Sequence, residues 1–269
     1  MDGKAARAQG RAEARPVKVA FNSANLVGRV TGYRFAMASW GQQHEKTVAA
    51  TTEKEWQAIC AEIAAAGYTA VEVWLAHCDP RATDERRART LRGILDDHGL
   101  VPIGLAGALT EGSARVCQWM GMPAANGGLW GTTLADVRRI TAETGLQFNY
   151  ENHPEKSLQQ IVDRIEGGGP GIGLCVDTGW LGTQGIDAVA AVRALAPLVR
   201  HVHLKDVRAP GAHDTCPLGQ GCVPIRGVIA ALRETGYQGW YSWEDEPEDR
   251  NPMEIAREMR ELIARELSL

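Results

Sequence analysis

The chain has 269 residues, of which 44% are hydrophobic and 23% charged, and its formal net charge is −4. This length suits one large domain or two small ones, and the composition is that of an ordinary globular protein. The weakly acidic balance, without a long basic run after the first residues, argues against nucleic acid and anionic membranes as partners. No apolar stretch approaches the roughly 20 residues of a membrane-spanning helix.

The first residues and the cysteines bear on processing and compartment. Residues 1–16 are rich in alanine and arginine and lack the apolar segment of a secretory signal, so we interpret them as a flexible tail. The six cysteines are scattered without a C-x-x-C pair, which favours reduced thiols in a cytoplasmic protein. Cys216 and Cys222 lie close together, but no companion ligands stand at zinc-like spacing around them.

Strands and helices alternate along the rest of the chain. Residues 22–51 form a long irregular segment with aromatic side chains, of the kind that often covers a site. Thr52 and Glu55 then make a capping-box pattern that opens the first helix. In chain order, the predicted strands and their helices are 17–21 with 52–67, 70–75 with 84–98, 101–105 with 111–120, 123–126 with 133–144, 146–151 with 155–165, 171–177 with 186–195, 201–205 with 225–235, and 240–244 with 252–267.

This alternation predicts an α/β fold with a parallel sheet. Eight strand–helix units most economically close into a (β/α)8 TIM barrel, which we place over residues 17–269 as a single domain. The alternative is a doubly wound open sheet, but no strand here runs into a G-x-G-x-x-G phosphate turn. The glycine run at 167–169 precedes a strand and is interpreted as a turn.

Four successive predicted strands carry metal-binding side chains at their carboxyl ends, where barrel enzymes hold their active sites. These side chains are Glu151, Asp177, His203 and Glu244. The period-two alternation of a strand places them on a face whose other residues are polar or small, as the interior of a hydrated barrel mouth requires. Three carboxylates and one imidazole suit one divalent ion, with Mn²⁺ as the first expectation and Mg²⁺, Co²⁺ or Zn²⁺ as alternatives.

The stretches around these four residues resemble the xylose isomerase-like TIM barrel superfamily, also called the sugar phosphate isomerase/epimerase family. The matching pieces are NYENHPE, CVDTGW, HVHLKD and SWEDEPED, together with the glycine-rich PLGQG at 217–221. The resemblance runs from about Val17 to the C-terminus. It implies that the four residues bind one metal ion and that Glu151 and Glu244 transfer protons on opposite faces of a substrate.

The expected activity is that of a metal-dependent isomerase or epimerase of a keto-sugar, cyclitol or related polyol. A proton next to the carbonyl is removed, and the metal stabilises the enediolate. The alternative within the family is a lyase, either a dehydratase or an enzyme that eliminates a β-substituent from a keto-sugar or C-glycoside. Lys205 and His153 join the two glutamates as candidate catalytic residues, although Lys205 also fits a buried ion pair with a barrel carboxylate such as Glu151.

Further residues at strand ends are weaker candidates for substrate contact. Trp180 is one of them, and it stands where many family members carry a histidine that touches substrate, which favours a larger or partly aromatic substrate. The other four are Asn22, Trp74, His77 and Asn126.

The expected partner is a small sugar-like molecule, and the resemblance leaves a homodimer or homotetramer open. A remote alternative is a DNA-repair nuclease like endonuclease IV. That chemistry needs further histidine and glutamate ligands from the early strands, where only Glu72 and His77 stand out.

Overall fold

The computed structural model describes residues 17–269, so the predicted tail lies outside the described residues. The barrel strands are β1 (Val19–Asn22), β2 (Ala70–Trp74), β3 (Val101–Ala106), β4 (Ala124–Gly127), β5 (Gln147–Glu151), β6 (Ile172–Asp177), β7 (Val199–Leu204) and β10 (Tyr241–Trp243). All neighbours are parallel, and they close in the order β1-β10-β7-β6-β5-β4-β3-β2. The predicted (β/α)8 barrel is confirmed, and the open doubly wound sheet is excluded.

Helices surround the barrel, and most begin at a polar capping residue. The side chains of Thr52, Asp84, Thr110, Thr133 and Ser157 each accept a hydrogen bond from a helix N–H, and such a cap stabilises a helix by about 1 kcal/mol. The helices are α1 (Trp40–Ala50), α2 (Glu53–Ala65), α3 (Glu85–Asp97), α4 (Glu111–Met120), α5 (Leu134–Thr144), α6 (Leu158–Arg164), α7 (Thr178–Thr183), α8 (Ala188–Leu195), α9 (Ile225–Glu234) and α10 (Ala256–Ser268). Within residues 17–269, no helix combines the length and hydrophobicity needed to cross a membrane.

The prediction of an irregular segment over residues 22–51 is wrong for its second half, where α1 forms. This helix buries only Gln43 and Thr47, so its sequence lacks the apolar stripe by which helices are recognised. Tertiary contacts hold it in place instead. The ring of Trp40 packs 5.1 Å from that of Trp74, and its Nε1 donates to Glu246 Oε1 at 2.9 Å.

The connection between β7 and α9 is longer than the others and folds back over the barrel mouth. It contains a short antiparallel ribbon of β8 (Asp206–Val207) and β9 (Thr215–Cys216). The buried carboxylate of Asp206 accepts hydrogen bonds from four backbone N–H groups, at Val207, Gly219, Gly221 and Val223. One side chain therefore ties both ends of this connection together.

We expect Asp206→Asn to destabilise the protein by roughly 2–4 kcal/mol, because an amide group cannot accept from all four N–H groups and leaves buried donors unpaired. Urea unfolding followed by circular dichroism measures the change. Asp214→Asn is the matched control, since Asp214 is 60% exposed in an ion pair with Arg208 and its loss should cost less than about 1 kcal/mol. Equal stabilities of the two variants would contradict the assigned role.

Candidate metal centre and active site

The four predicted metal ligands lie together at the carboxyl end of the barrel. Glu151 and Asp177 are the last residues of β5 and β6, His203 lies in β7, and Glu244 directly follows β10. Each is buried and offers one ligand atom, and these four atoms lie within 4.8 Å of one another. The strand register explains the convergence, because Asp177 pairs with His203 and His203 pairs with Ser242, two residues before Glu244.

Distances inside this group match those around a single ion. His203 Nδ1 lies 2.6 Å from Glu244 Oε2 and 3.0 Å from Glu151 Oε1. Adjacent ligands that each bind a small divalent ion at about 2.1 Å lie about 3 Å apart. The arrangement therefore requires little movement to accept a cation.

Asp177 gives the clearest sign that a cation belongs here. Its Oδ1 accepts from the N–H of Trp180 at 2.8 Å, whereas its buried Oδ2 has no hydrogen-bond partner among residues 17–269. Burial raises the pKa of Asp177 to about 8, and Glu244 and Glu151 add to the effect. A buried oxygen without a partner is rare in folded proteins, and a metal ion would satisfy it.

His203 is oriented from below by a second carboxylate. Its Nε2 lies 3.1 Å from both oxygens of Glu72, which is fully buried in the barrel. Burial alone would raise the pKa of Glu72, but His201 and His203 hold it well below its usual value. An ionised carboxylate only accepts, so Nε2 of His203 carries a proton and Nδ1 faces the proposed metal position.

Glu72 has further partners, which fix its own position. It accepts from Asn126 Nδ2 at 2.7 Å and from Ser242 Oγ at 2.6 Å, and His201 Nε2 lies 2.8 Å away. The early strands thus supply a support for His203 and no member of the four-ligand group. A further group of potential ligands in the described chain is Cys175, His201 and His203, one layer deeper.

Lys205 is buried and balances the negative charge of the site. Its Nζ lies 2.9 Å from Glu244 Oε1, 2.7 Å from Glu246 Oε2 and 3.6 Å from Asp177 Oδ2. The buried ion pair considered from the sequence is present, but its partners are Glu244 and Glu246 and not Glu151. Burial would lower the pKa of Lys205, yet these carboxylates raise it well above the usual value, so the side chain remains an ammonium.

The two glutamates proposed for proton transfer have different surroundings. Glu244 uses both oxygens, because Oε1 accepts from Lys205, and Oε2 accepts from Asn22 Nδ2 at 3.0 Å. Burial would raise the pKa of Glu244, but Lys205 and His203 hold it below its usual value. Glu151 uses Oε1 towards His203, while its Oε2 makes no hydrogen bond within residues 17–269. Of these two glutamates, only Glu151 therefore has a carboxylate oxygen free to accept a proton.

His153 and Trp180 form the aromatic side of the mouth. Nδ1 of His153 donates to the carbonyl of Glu151 at 2.9 Å, which turns Nε2 towards Glu151 Oε2 at 3.9 Å. The ring packs between Trp130, at 4.7 Å, and Trp180, at 5.5 Å. Trp180 is also 5.8 Å from the ammonium of Lys205, so it lines the same mouth as the four ligands.

The remaining predicted contacts lie at different depths. Asn22 touches Glu244, and Asn126 lies below the ligands against Glu72. Trp74 and His77 pack together to the side, with ring centroids 5.6 Å apart. His77 is engaged by Thr51 Oγ1 at 3.3 Å and by the carbonyl of Ser23 at 3.4 Å, and burial lowers its pKa to about 4.

Three residues around this site were not predicted from the sequence to belong to it. Glu72 was considered only as a nuclease ligand, although an acidic residue in the apolar strand AVEVWL is a signal for an inward polar role. Glu246 shares strand parity with Glu244 and was open to the same argument. His213 lies in the β8–β9 loop, 4.5 Å from Trp180 between ring centroids, and no local pattern identifies it.

Comparison with known proteins relates the chain to sugar-processing barrels. Residues 128–266, which include all four candidate ligands, match a family model described as a xylose isomerase-like TIM barrel. The inosose dehydratase of Geobacillus thermodenitrificans is 31% identical over 147 residues, or 46% of this chain and 49% of that protein. The inosose dehydratase of Clostridium beijerinckii is 28% identical over 153 residues, or 48% and 51%. The matches thus span about half the length of these curated relatives.

Solved structures agree at the level of the fold. An L-ribulose 3-epimerase superposes with a TM-score of 0.67 at 18% identity, covering 94% of this chain and 95% of that one. A probable 3-DHS dehydratase of petrobactin synthesis from Bacillus anthracis gives a TM-score of 0.62 at 15% identity, covering 91% and 98%. The same barrel fold thus occurs in a protein named an epimerase and in one named a probable dehydratase.

We expect divalent metal to bind more tightly as pH rises towards 8 and to level off above it. Below that pH the carboxyl of Asp177 keeps a proton, which the ion must displace. Calorimetry at pH 7 in two buffers of different ionisation enthalpy should detect the released proton. Asp177→Asn should lose affinity and release fewer protons, whereas the exposed control Asp97→Asn should match the wild type. A pH-independent affinity would contradict this account.

We expect Glu72→Gln to weaken metal binding by about 10–100-fold, because it removes the carboxylate that orients His203. Manganese titration followed by electron paramagnetic resonance gives the affinity. Ser242→Ala is the control, since it removes a donor to Glu72 but leaves the Glu72–His203 contact. Unchanged affinity in a folded Glu72→Gln protein would refute the orienting role.

Proposed function

This chain belongs to the xylose isomerase-like TIM barrel family, and we propose that it is a divalent-metal-dependent lyase that dehydrates a keto-polyol of the inosose class. The observation that carries the proposal is the buried group of Glu151, Asp177, His203 and Glu244, in which Glu151, unlike Glu244, keeps one carboxylate oxygen without a hydrogen bond within the described residues. The names of the curated relatives support the choice of substrate class.

The donor set fits a hard-to-borderline ion, and we propose Mn²⁺. A bound ion would polarise the substrate carbonyl and stabilise the negative charge that develops on its oxygen. The unpartnered Oδ2 of Asp177 and the inward Nδ1 of His203 are the features of this chain that fit such an ion. The free thiols are consistent with the proposed cytoplasmic location.

Glu151 is the proposed base. Its free Oε2 accepts the proton from the carbon next to the carbonyl, and the electron pair of that C–H bond forms the carbon–carbon double bond. The bond to the hydroxyl on the following carbon breaks, and the hydroxide, stabilised by the Lys205 ammonium, leaves as water with a proton taken from solvent, which balances the proton that Glu151 removes. General-base help of this kind contributes about 10²–10⁴-fold in rate.

His153 and Lys205 serve the two ends of this proton transfer. His153 Nε2, 3.9 Å from Glu151 Oε2, is placed to take the proton from Glu151 and pass it towards solvent beside the exposed Trp130. Lys205 is held by Glu244 and Glu246, so its ammonium stays in the site to stabilise a departing hydroxide. Burial strengthens the attraction between the Lys205 ammonium and the departing hydroxide.

A second candidate is the isomerase or epimerase expected from the sequence. Its supporting observation is that Glu151 and Glu244 both belong to the ligand group, as a two-base reaction requires. The commitment of both Glu244 oxygens to Lys205 and Asn22 favours elimination, because an epimerase needs a second carboxylate that exchanges protons. A nuclease is disfavoured, because Glu72 and His77 are engaged within the protein.

We expect Glu151→Gln to lower dehydration of an inosose by at least about 100-fold, because the amide cannot accept the proton. Mass spectrometry in deuterated water measures both loss of water and exchange of the carbon-bound hydrogen, and both should disappear. The surface variant Glu143→Gln, at a position 57% exposed, should behave as the wild type. A product with the mass of the substrate would support the epimerase instead, and retained exchange in Glu151→Gln would remove Glu151 as the base.

A further inference from the structure

His213 is a buried imidazole above the barrel mouth that lacks hydrogen-bond partners. Its side chain is only 9% exposed, and neither ring nitrogen has a partner among the described residues. Burying a polar group without a hydrogen bond costs free energy, so native structures rarely do so without a reason. A ligand that completes the hydrogen bonding of this ring is the simplest such reason.

The ring is held facing a second polar group. It packs on Trp180 with centroids 4.5 Å apart and an angle of 41° between the planes. Its Nε2 lies 3.9 Å from Oε2 of Glu246. Glu246 is fixed from its other sides, by Lys205 at 2.7 Å and by Nε1 of Trp40 at 2.9 Å.

We propose that His213 and Glu246 bind one hydroxyl group of a polyol substrate between them, beside the metal centre. Their separation of 3.9 Å is too long for a hydrogen bond, and a hydroxyl oxygen about 2.8 Å from each atom would bridge them. A hydroxyl both donates and accepts, so it donates to the carboxylate of Glu246 and accepts from an N–H of His213.

The charges around the gap select this neutral group. A carboxylate or phosphate would meet the carboxylate of Glu246, and an ammonium would meet the buried cation of Lys205. The other charged or titratable groups that act on His213 are Glu244 and His153. Burial and Lys205 lower the pKa of His213 to about 3, so the ring is neutral and offers one donor and one acceptor nitrogen.

This pair deepens the proposed function, and it rests on a polyol being the substrate. The four candidate ligands, Glu151 among them, and Lys205 would act at the carbonyl and its neighbouring carbons. His213 and Glu246 would recognise a hydroxyl and so choose among polyols that share the reacting unit. We therefore place a specificity-determining contact in the β8–β9 loop, outside the barrel strands.

The test combines protein variants with substrate analogues. Manganese-loaded wild type, His213→Ala, His213→Gln and the control His98→Ala are titrated by calorimetry with an inosose and with each of its monodeoxy analogues. The same is done with D-fructose and its monodeoxy analogues. His98 follows α3 at the opposite end of the barrel, so its loss should change nothing. Manganese affinity is measured for every variant, and water loss is followed separately by mass spectrometry.

We expect His213→Ala to weaken binding of the parent polyol by roughly tenfold, the effect of one lost hydrogen bond, and to leave manganese affinity unchanged. One monodeoxy analogue should bind wild type at least as weakly as the parent binds His213→Ala, because it loses the contacts with both His213 and Glu246, and its affinity should be the same for wild type and His213→Ala. His213→Gln should restore part of the affinity, because its amide N–H can donate. This non-additivity identifies the contacted hydroxyl.

The outcomes separate this inference from the proposed function. Unchanged binding to His213→Ala, equal losses for every analogue in both proteins, or binding of no polyol at all would overturn the inference. If the inosose loses water but no analogue shows non-additivity with His213→Ala, the proposed dehydratase activity is supported and the proposed hydroxyl contact is contradicted. Non-additivity with D-fructose and its analogues, without dehydration of the inosose, would support the contact with His213 and contradict the proposed dehydratase activity.

Discussion

Four buried carboxylates crowd the mouth of this barrel, and their mutual repulsion is the constraint on which the site depends. Asp177, Glu244 and Glu246 share the buried ammonium of Lys205, and Glu151 and Glu244 share the imidazole of His203. Burying charges is costly unless they are paired. Oδ2 of Asp177, 3.6 Å from Lys205 Nζ, still has no hydrogen bond within the described residues, and a divalent ion at that place would complete the balance.

Hydrogen bonds inside the barrel hold the residues of the site in place. A row of polar side chains crosses the interior below the ligands, from Asn149 to Asn126 and then to Glu72, which bonds to His201, His203 and Ser242. Every contact joins residues on different strands, so the closed barrel fixes the row and the row fixes the histidine. A ligand held in this way is pre-organised for its ion.

The loops add the chemistry that distinguishes one barrel enzyme from another. Asp206 ties the β7–α9 connection to the barrel, and that connection carries His213 to within 3.9 Å of Glu246. On the other side, Trp40 of α1 reaches the same glutamate. The proposed base and the candidate ligands thus lie in strands or directly after one, whereas the groups that surround Glu246 come from loops and a peripheral helix, which vary most easily among relatives.

The sequence by itself determined the barrel and the convergence of the four candidate ligands. The side-chain periodicity of strands puts Glu151, Asp177, His203 and Glu244 on the inner face, and the carboxyl ends of parallel strands lie at one edge of the sheet. The four residues therefore meet. Periodicity and strand direction are local features that can be read from the sequence. Only the tertiary structure decided that Lys205 pairs with Glu246, that α1 forms without an apolar stripe, and that His213 comes to lie over the mouth. These features depend on contacts between distant segments, and a loop residue has no periodicity from which its direction can be read.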